Sequence, residues 1–162
     1  MEFVKMQGAG NDFVLIDGRA GAEADWPALA GRVCDRHFGV GADGLLLVCE
    51  SSTGDARMVM WNPDGSESEM CGNGIRCFAR FVLDQLPRRP ESLRVETGAG
   101  LLTVQDRGGG RYQASLGRPV LNGRHIPVAI AAEPVLDMPL PGLDGVTVTC
   151  VSMGNPHAVQ FV

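Results

Sequence analysis

Short apolar stretches separated by loop-forming residues run through the first two thirds of the chain. Leu45–Cys49 is a continuous apolar run, which predicts a buried strand. The sequence Asn62-Pro63-Asp64-Gly65 consists of residues that favour turns, so a tight turn is expected there. The same pattern predicts further strands at Glu2–Met6, Phe13–Asp17, Arg57–Trp61, Leu93–Thr97, Leu101–Gln105, Arg111–Leu116, Val146–Val151 and Ala158–Val162.

Two segments carry helical spacing instead. The first begins at Asp25, an N-cap residue followed by a proline in the first turn, and its predicted end is Gly39. The second is predicted to run from about Gly72 to Leu86. Their apolar faces consist of Leu29, Ala30, Val33 and Cys34 in the first helix and of Ile75, Phe78, Ala79 and Val82 in the second.

The character of the chain changes after Gly117, where prolines become frequent and helix signals become few. We therefore predict a first domain at 1–117 and the beginning of another at 118–162. A strand, a Gly-Asn pair and a second apolar strand occur twice, around Gly10-Asn11 and around Gly154-Asn155. This repeat is either a chance match or the mark of a duplicated architecture.

Length and composition narrow the classes of protein. The chain has 162 residues, of which 44% are hydrophobic and 20% charged, as in ordinary globular domains. Its net charge of −5 gives no electrostatic reason to expect nucleic acid or an anionic membrane as a partner. No apolar run approaches the roughly 18 residues of a membrane span. Five irregularly spaced cysteines and the lack of a signal peptide predict a cytoplasmic protein with free thiols.

The glycine-rich segment Gly39–Gly44 fits the dinucleotide-binding pattern G-x-G-x-x-G. That chemistry needs a strand before the loop and a helix after it, so that the pyrophosphate meets a helix N-terminus. Here the predicted order is inverted, with a helix before and the Leu45 strand after. We therefore predict a structural loop and no nucleotide site.

Cys71 stands where a loop meets the second predicted helix, in the segment Met70–Phe78. Unpaired N–H groups at a helix start stabilise a thiolate and can bind a carboxylate. Gly72 and Gly74 are poor helix formers whose lack of a side chain lets a ligand approach the backbone. The pattern favours a reactive thiol beside an anion site.

Less specific interpretations remain open. Cys71 can be a small buried apolar residue, as we expect for Cys77, or the two can form a redox pair. Cys34 and His37 have spacing for a shared metal on a helix, although no second ligand pair exists and core packing is favoured. The asparagines Asn11, Asn62, Asn73 and Asn155 can be turn residues or polar contacts for a zwitterion, and His157, expected in a loop, can tune a nearby thiol.

Five segments of the chain resemble segments of the diaminopimelate epimerase family, and they occur in the same order as in that family. The family is one of cofactor-free isomerases, so the resemblance implies interconversion of LL- and meso-diaminopimelate on the route to lysine and peptidoglycan. The Cys71 segment with its Gly-Asn-Gly is the most specific of them. The matching segments are Met6–Phe13, Gly39–Leu46, Asn62–Glu67, Met70–Phe78 and Met153–His157.

The resemblance also implies a fold and a mechanism. The fold is mixed α/β, with two similar domains that each wrap a mixed sheet around a central helix and with the site between them. A thiolate takes the α-proton from one face of a diamino dicarboxylate substrate while a second thiol protonates the opposite face. A homodimer is expected for the complete protein, with no metal and no cofactor.

By its position in the matching segments, Cys71 corresponds to one of the family's two thiols. His157 corresponds to the histidine that adjusts the pair of thiols. Asn11, Asn62, Gly72, Asn73 and Asn155 match substrate-binding positions. Gly44 stands where some members carry a glutamine, so that contact is not expected. Neither Cys77 nor Cys150 matches the position of the second thiol in the family. We therefore expect the second thiol beyond residue 162, in a second domain that is incomplete here. For the same reason we expect this chain alone to be inactive. The alternatives are an amino-acid-binding or assembly remnant, another racemase of the superfamily, or a redox protein.

Overall fold

A single mixed sheet forms the framework of the first of two structural units. The computed structural model describes residues 1–21, 23–130 and 132–161. It divides into the units Met1–Ser115 and Leu116–Val162. The strands of the first unit are β1 (Val4–Gly8), β2 (Asn11–Asp17), β3 (Gly44–Cys49), β4 (Ala56–Trp61), β5 (Glu67–Ser68), β6 (Ser92–Thr97), β7 (Gly100–Asp106) and β8 (Tyr112–Ser115), and its helices are α1 (Trp26–Cys34) and α2 (Gly74–Gln85).

The sheet has the order β1-β2-β3-β4-β6-β7-β8, and the short β5 pairs with β4. Two neighbouring pairs, β2 with β3 and β4 with β6, are parallel, and the other pairs are antiparallel. Helix α2 contacts every strand from β1 to β8 along this path, so the sheet curls around it. The predicted mixed sheet around a central helix is confirmed.

The main core lies between α2 and the inner face of the sheet. Phe78 and Ile75 are completely buried there, against Phe13 and Leu15 of β2 and Leu46 of β3. The apolar positions of α2 recur at intervals of three and four residues, so they form one face that the sheet covers.

A second core forms on the outer face, under α1. Val14 and Ile16 of β2 point there together with Leu45 and Leu47 of β3 and pack against Ala30. Successive residues of a strand point to opposite faces, so β2 and β3 supply both cores at once. That double burial explains why Leu45–Cys49 is apolar without alternation.

The start of α1 agrees with the prediction, and its end does not. Asp25 caps the helix by accepting a hydrogen bond from the amide of Ala28 at 3.1 Å. The predicted end at Gly39 is wrong, because α1 ends at Cys34. The side chain of Asp35 accepts the amide hydrogens of His37 and Phe38, both at 2.7 Å, and these bonds hold a turn in place of another helical turn.

The second unit, described through residue 161 apart from residue 131, contains a small antiparallel sheet. Its strands are β9 (Met138–Pro139), β10 (Thr147–Ser152) and β11 (Pro156–Val159), in the order β11-β10-β9, and Gly123–His125 is a short 3-10 helix. Ile126, Val135, Val148 and Cys150 form its core. The predicted domain limits, 1–117 and 118–162, stay a prediction.

The repeated strand–Gly-Asn–strand pattern corresponds to two antiparallel hairpins, β1–β2 and β10–β11. Gly10 and Gly154, which lie in the two turns, have φ values of 95° and 96°, in the region that glycine adopts without strain. The resemblance between the two hairpins is therefore structural as well as sequential.

Candidate active site

Cys71 lies three residues before the first residue of α2, and its thiol accepts a hydrogen bond from the helix start. The amide nitrogen of Gly74 donates a hydrogen bond to the Cys71 sulfur at 3.3 Å, and the amide of Ile75 donates to the Cys71 carbonyl at 2.8 Å. The Cys71 side chain is half-buried, and it borders the main core. The predicted placement of this thiol at the start of a helix is what the structure shows, except that α2 begins at Gly74 and not at Gly72.

Gly74 has a packing reason to lack a side chain. A Cβ at this position would lie 3.3 Å from the Cβ of Cys71, 3.4 Å from its sulfur and 3.3 Å from a methyl group of Leu46. Such contacts are tight, so a side chain would press on the thiol. Gly74 thus makes room for Cys71, which differs from the expectation that it makes room for a ligand.

The amide groups of Gly72 and Asn73 stand in the same turn. Within the described part of the chain, neither N–H donates to a protein acceptor. The first N–H groups of a helix have no partner inside the helix, and they commonly bind an anion. The start of α2 therefore presents donors beside a half-buried thiol.

Asn11 and Asn73 are in direct contact through their side chains. Asn73 Nδ2 donates to Asn11 Oδ1 at 2.7 Å, and Arg76, one turn into α2, donates to Asn73 Oδ1. Arg76 Nε also donates to the carbonyl of Gly72 at 3.0 Å. Three of the predicted site residues, together with Cys71, are thus brought to one place.

A cluster of charges supports Asn11 from the other side. Asn11 Nδ2 donates to Asp43 Oδ2 at 2.9 Å, and Arg36 bridges Asp12 and Asp43 at 2.8 Å and 2.7 Å. The hydrogen bond from Arg36, with a smaller contribution from Lys5, holds the pKa of the Asp12 carboxyl far below its usual range. The bonds from Asn11 and from the Asp12 amide lower the pKa of Asp43. Both carboxylates are therefore charged at neutral pH.

Sequence reasoning did not identify this supporting cluster of Asp12, Arg36, Asp43 and Arg76. Two signals were present: Asp12 follows Asn11 directly, and Arg76 is three residues from Asn73, a spacing that places side chains together on a helix. Asp43 lies in the Gly39–Gly44 segment, which does run from a helix to a strand. Nothing in the local sequence pointed to Arg36.

Asn62 lies at the same end of the sheet, and its contacts are those of a turn. Its side chain donates to Ser66 Oγ at 2.9 Å, and its carbonyl accepts the amide of Gly65. Leu45 at the start of β3 pairs with Trp61 at the end of β4, so Asn62 and Gly44 share an edge. A Cβ on Gly44 would lie 2.8 Å from a Met60 methyl group, so a larger residue there requires rearrangement.

The second unit contains Asn155 and His157. Both are exposed, and His157 Nδ1 lies 3.0 Å from the Asn155 carbonyl. The expectation of a loop at His157 is wrong, because His157 belongs to β11 and pairs with Val151 of β10.

The other cysteines differ from Cys71 in their surroundings. All five are free thiols, and Cys34, Cys77 and Cys150 are buried. Burial raises the pKa of Cys34 and of Cys77. Among residues 1–21, 23–130 and 132–161, no group of three or more His, Cys, Asp or Glu side chains is arranged to hold a metal. His37 is exposed and lies outside α1, so Cys34 and His37 do not share a helix.

A groove of about 470 Å³ opens between β1, α2 and the loop before β8. It is lined by Gln7, Gly8, Arg76, Cys77, Arg80 and Arg111, among others, and Cys71 is not part of its wall. Because Arg76 is hydrogen-bonded to Gly72 and Asn73, the groove borders the turn that contains the thiol. No helix in the described part of the chain is long and apolar enough to cross a membrane.

Two solved structures that share this fold are named as a hydroxyproline epimerase and as a probable proline racemase. A hydroxyproline epimerase from Agrobacterium vitis matches 96% of this chain and 49% of its own, with a TM-score of 0.66 and 16% identity. A probable proline racemase from Agrobacterium radiobacter matches 96% of this chain and 50% of its own, with a TM-score of 0.63 and 15% identity. At these identities the likeness establishes the fold.

Sequence comparison is more specific. The chain is 51% identical over its full length to diaminopimelate epimerases from Desulfitobacterium hafniense and Moorella thermoacetica, and 46% identical over 99% of its length to the chloroplastic diaminopimelate epimerase of Oryza sativa subsp. japonica. It spans 60% of the two bacterial relatives and 48% of the rice protein. Residues 3–121 match the family model for diaminopimelate epimerase. The chain belongs to the diaminopimelate epimerase family.

Proposed function

We propose that this chain provides the first thiol of an isomerase that interconverts LL- and meso-diaminopimelate, a step toward lysine and peptidoglycan. Family membership supports the reaction, since the relatives at 45–51% identity carry this name. The observation that carries the proposal within the structure is the position of Cys71, half-buried and capping α2 beside the free N–H groups of Gly72 and Asn73.

The chemistry follows from these groups. The thiolate of Cys71 accepts the proton as the Cα–H bond breaks, and the electron pair moves toward the α-carboxylate. A thiol on the opposite face then donates its own proton to the α-carbon, which inverts the centre. Each cycle leaves one cysteine protonated and the other not, so catalysis in the reverse direction uses the same pair with exchanged roles.

The developing charge on the carboxylate needs stabilisation. Backbone N–H groups aimed at the carboxylate become more favourable as its charge grows, which lowers the barrier without a cofactor. Gly72 and Asn73 are proposed to supply these donors. Asn11, Asn62 and Asn155 are proposed to hold the polar ends of the substrate, and His157 to adjust the thiols.

The second thiol is proposed to lie outside residues 1–162. Cys34, Cys77 and Cys150 are buried in cores, and Cys49 ends β3 at the edge away from Gly44. We therefore propose that this chain alone does not turn over substrate and that the complete protein, expected as a cytoplasmic homodimer, does.

The test uses the complete protein and follows exchange of the diaminopimelate α-proton for deuterium. Cys71→Ala should lower the rate at least about a hundredfold, because acid–base groups contribute roughly 10²–10⁴-fold. Cys49→Ala removes another half-buried thiol and should leave the rate unchanged. A Cys71→Ala protein that exchanges at the normal rate would refute the proposal. Full turnover by a sample shown by intact mass to contain only these 162 residues would refute the need for a second thiol.

A further inference from the structure

Four side chains form one continuous hydrogen-bonded chain between the Gly39–Gly44 segment and the start of α2. Asn11 Nδ2 donates to Asp43 at 2.9 Å, and Asn73 Nδ2 donates to Asn11 at 2.7 Å. Arg76 donates to Asn73 Oδ1 and closes the chain. We call these residues, Asp43, Asn11, Asn73 and Arg76, the amide relay.

The two ends of the amide relay fix its direction. A carboxylate such as Asp43 can only accept hydrogen bonds, and a guanidinium such as Arg76 can only donate them. A carboxamide can do either, depending on which way it is turned. Between these ends, Asn11 and Asn73 have one consistent orientation each, and turning either amide over would set two donors or two acceptors against each other.

Arg76 also sets the direction of a backbone group in the proposed carboxylate site. Its Nε donates to the carbonyl of Gly72 at 3.0 Å. In a trans peptide the C=O and the N–H point in opposite directions, so the Asn73 N–H in the same peptide unit points away from Arg76. A fixed Gly72 carbonyl therefore means a fixed Asn73 N–H donor.

The far end of the relay is itself immobilised. Asp43 accepts from the amide of Asp12 at 3.1 Å and pairs with Arg36, while its own amide donates to the Asp12 carbonyl at 2.8 Å. The charged anchor is thus held by backbone as well as side chains. An anchor of this kind can transmit an orientation to Asn11.

We propose that Asp43 and Arg76 are positioning residues, which act through Asn11 and Asn73 to orient the Asn73 N–H and the Cys71 turn for reaction. This inference rests on the proposed function, because it assigns the orientation to the carboxylate-binding turn. Neither residue needs to touch substrate.

A double-mutant cycle in the complete protein tests the relay. Asp43→Asn and Arg76→Gln each replace a group of fixed polarity by an amide that can turn over. Each is expected to lower kcat/KM about tenfold, since small misplacements of reacting groups have large effects. The double variant is expected to lose about tenfold to thirtyfold, because residues that act as a unit are not additive. Arg76→Lys keeps a donor at that end and should retain more activity than Arg76→Gln.

Arg80→Gln is the matched control, as it removes an exposed arginine one turn further along α2 and should react like the wild type. Urea unfolding of every variant corrects each rate for the folded fraction. A double variant reduced by the full product, about a hundredfold, would overturn the relay, and so would single variants with wild-type rates.

Failure of the proposed function gives a different result. If the folded wild-type protein does not exchange the α-proton of diaminopimelate, the proposed reaction is refuted. The proposed role of the amide relay can then still be tested by measuring how fast Cys71 is alkylated. Peptide mass spectrometry measures the rate at which iodoacetamide labels Cys71 in the wild type, the two single variants and the double variant. The effects of the two substitutions on this labelling rate should be non-additive. Additive changes would overturn the relay whatever the reaction is.

Discussion

The amide nitrogen of Gly74 and the sulfur of Cys71 lie 3.3 Å apart and form a hydrogen bond. Asn73, which occupies the N-cap position, makes no capping bond with its own side chain, because its carboxamide is engaged by Asn11 and Arg76. The thiol has taken over the capping role. The proposed acid–base group is therefore part of the helix start and not an appendage of a loop.

Thiol reactivity should follow this arrangement. We expect iodoacetamide at neutral pH to modify Cys71 before Cys34 and Cys77, because burial keeps those two inaccessible and raises their pKa. Peptide mapping at increasing times measures the order. Cys49 is the informative comparison, because it is half-buried like Cys71 but ends a strand instead of standing before a helix, and burial raises its pKa. Equal rates at Cys49 and Cys71 would contradict the expectation.

Gly74→Ala should separate activity from stability. In a helix interior alanine is more favourable than glycine by about 1 kcal/mol, and Gly74, the first residue of α2, would gain less than this. Its Cβ would also press on Cys71 and Leu46 at 3.3 Å. We expect the free energy of unfolding to change by less than about 1 kcal/mol, while epimerisation by the complete protein falls about tenfold through displacement of the thiol.

Gly31→Ala in α1 is the control for that substitution. Its nearest neighbour would be the carbonyl of Pro63 at 3.4 Å, an ordinary contact. We expect a gain in stability of about 0.5–1 kcal/mol and no change in rate. If Gly74→Ala has normal activity, Gly74 is not needed to place the thiol.

Phe78→Ala should damage the main core. Phe78 is completely buried between α2 and the sheet, and truncation of a buried phenylalanine typically costs about 3–5 kcal/mol. Urea unfolding measures this loss. Phe38, which is 96% exposed, is the matched control, and Phe38→Ala should change stability by less than about 0.5 kcal/mol. Similar losses in the two variants would contradict the assigned core.

The ion pairs of Arg36 with Asp12 and Asp43 should make the free energy of unfolding depend on pH. The pKa values of Asp12 and Asp43 are lowered in the folded chain, whereas an unfolded aspartate titrates near about 3.9. Their stabilising contribution is thus complete above about pH 4 and is lost as the pH falls further, toward the folded values. Wild type and Arg36→Gln should differ in urea midpoint at pH 7 and converge below about pH 4.

Arg32→Gln is the control for the Arg36 experiment. Arg32 lies in the last turn of α1 and is exposed. The urea midpoint of Arg32→Gln should differ from that of the wild type by an amount that does not become smaller below about pH 4. A constant difference for Arg36→Gln across the range would show that the carboxylates are not its partners.

Both helices of the first unit and its strands other than β5 could be predicted because their signals are local. Leu45–Cys49 is apolar without interruption, and Asp25 with its following proline starts a helix by rules that need no distant residue. The end of α1 could not be predicted in the same way. Gly39 was predicted to end the helix, but the structure gives another reason for a glycine at this position. A Cβ there would lie 2.2 Å from the carbonyl oxygen of Arg32.

The candidate site was predictable only in part, for a related reason. Cys71 and its glycines form a continuous segment, so their chemistry is visible in sequence. The contacts of Asn11 with Asn73 and of Arg36 with Asp12 join residues 62 and 24 positions apart, and only the folded sheet brings them together. Local patterns carry no information about such pairs.

The two-sided burial of β2 restricts how this chain can change length. Its alternate residues fill two different cores, so one inserted or deleted residue would exchange Phe13 and Leu15 with Val14 and Ile16. The same slip would carry Asn11 away from Asp43. Both cores therefore oppose a change of length within this strand. The turn at 108–110 differs, because its three glycines have positive φ values that strain other residues, but the space around them is open, so an added residue there would displace no packed neighbour.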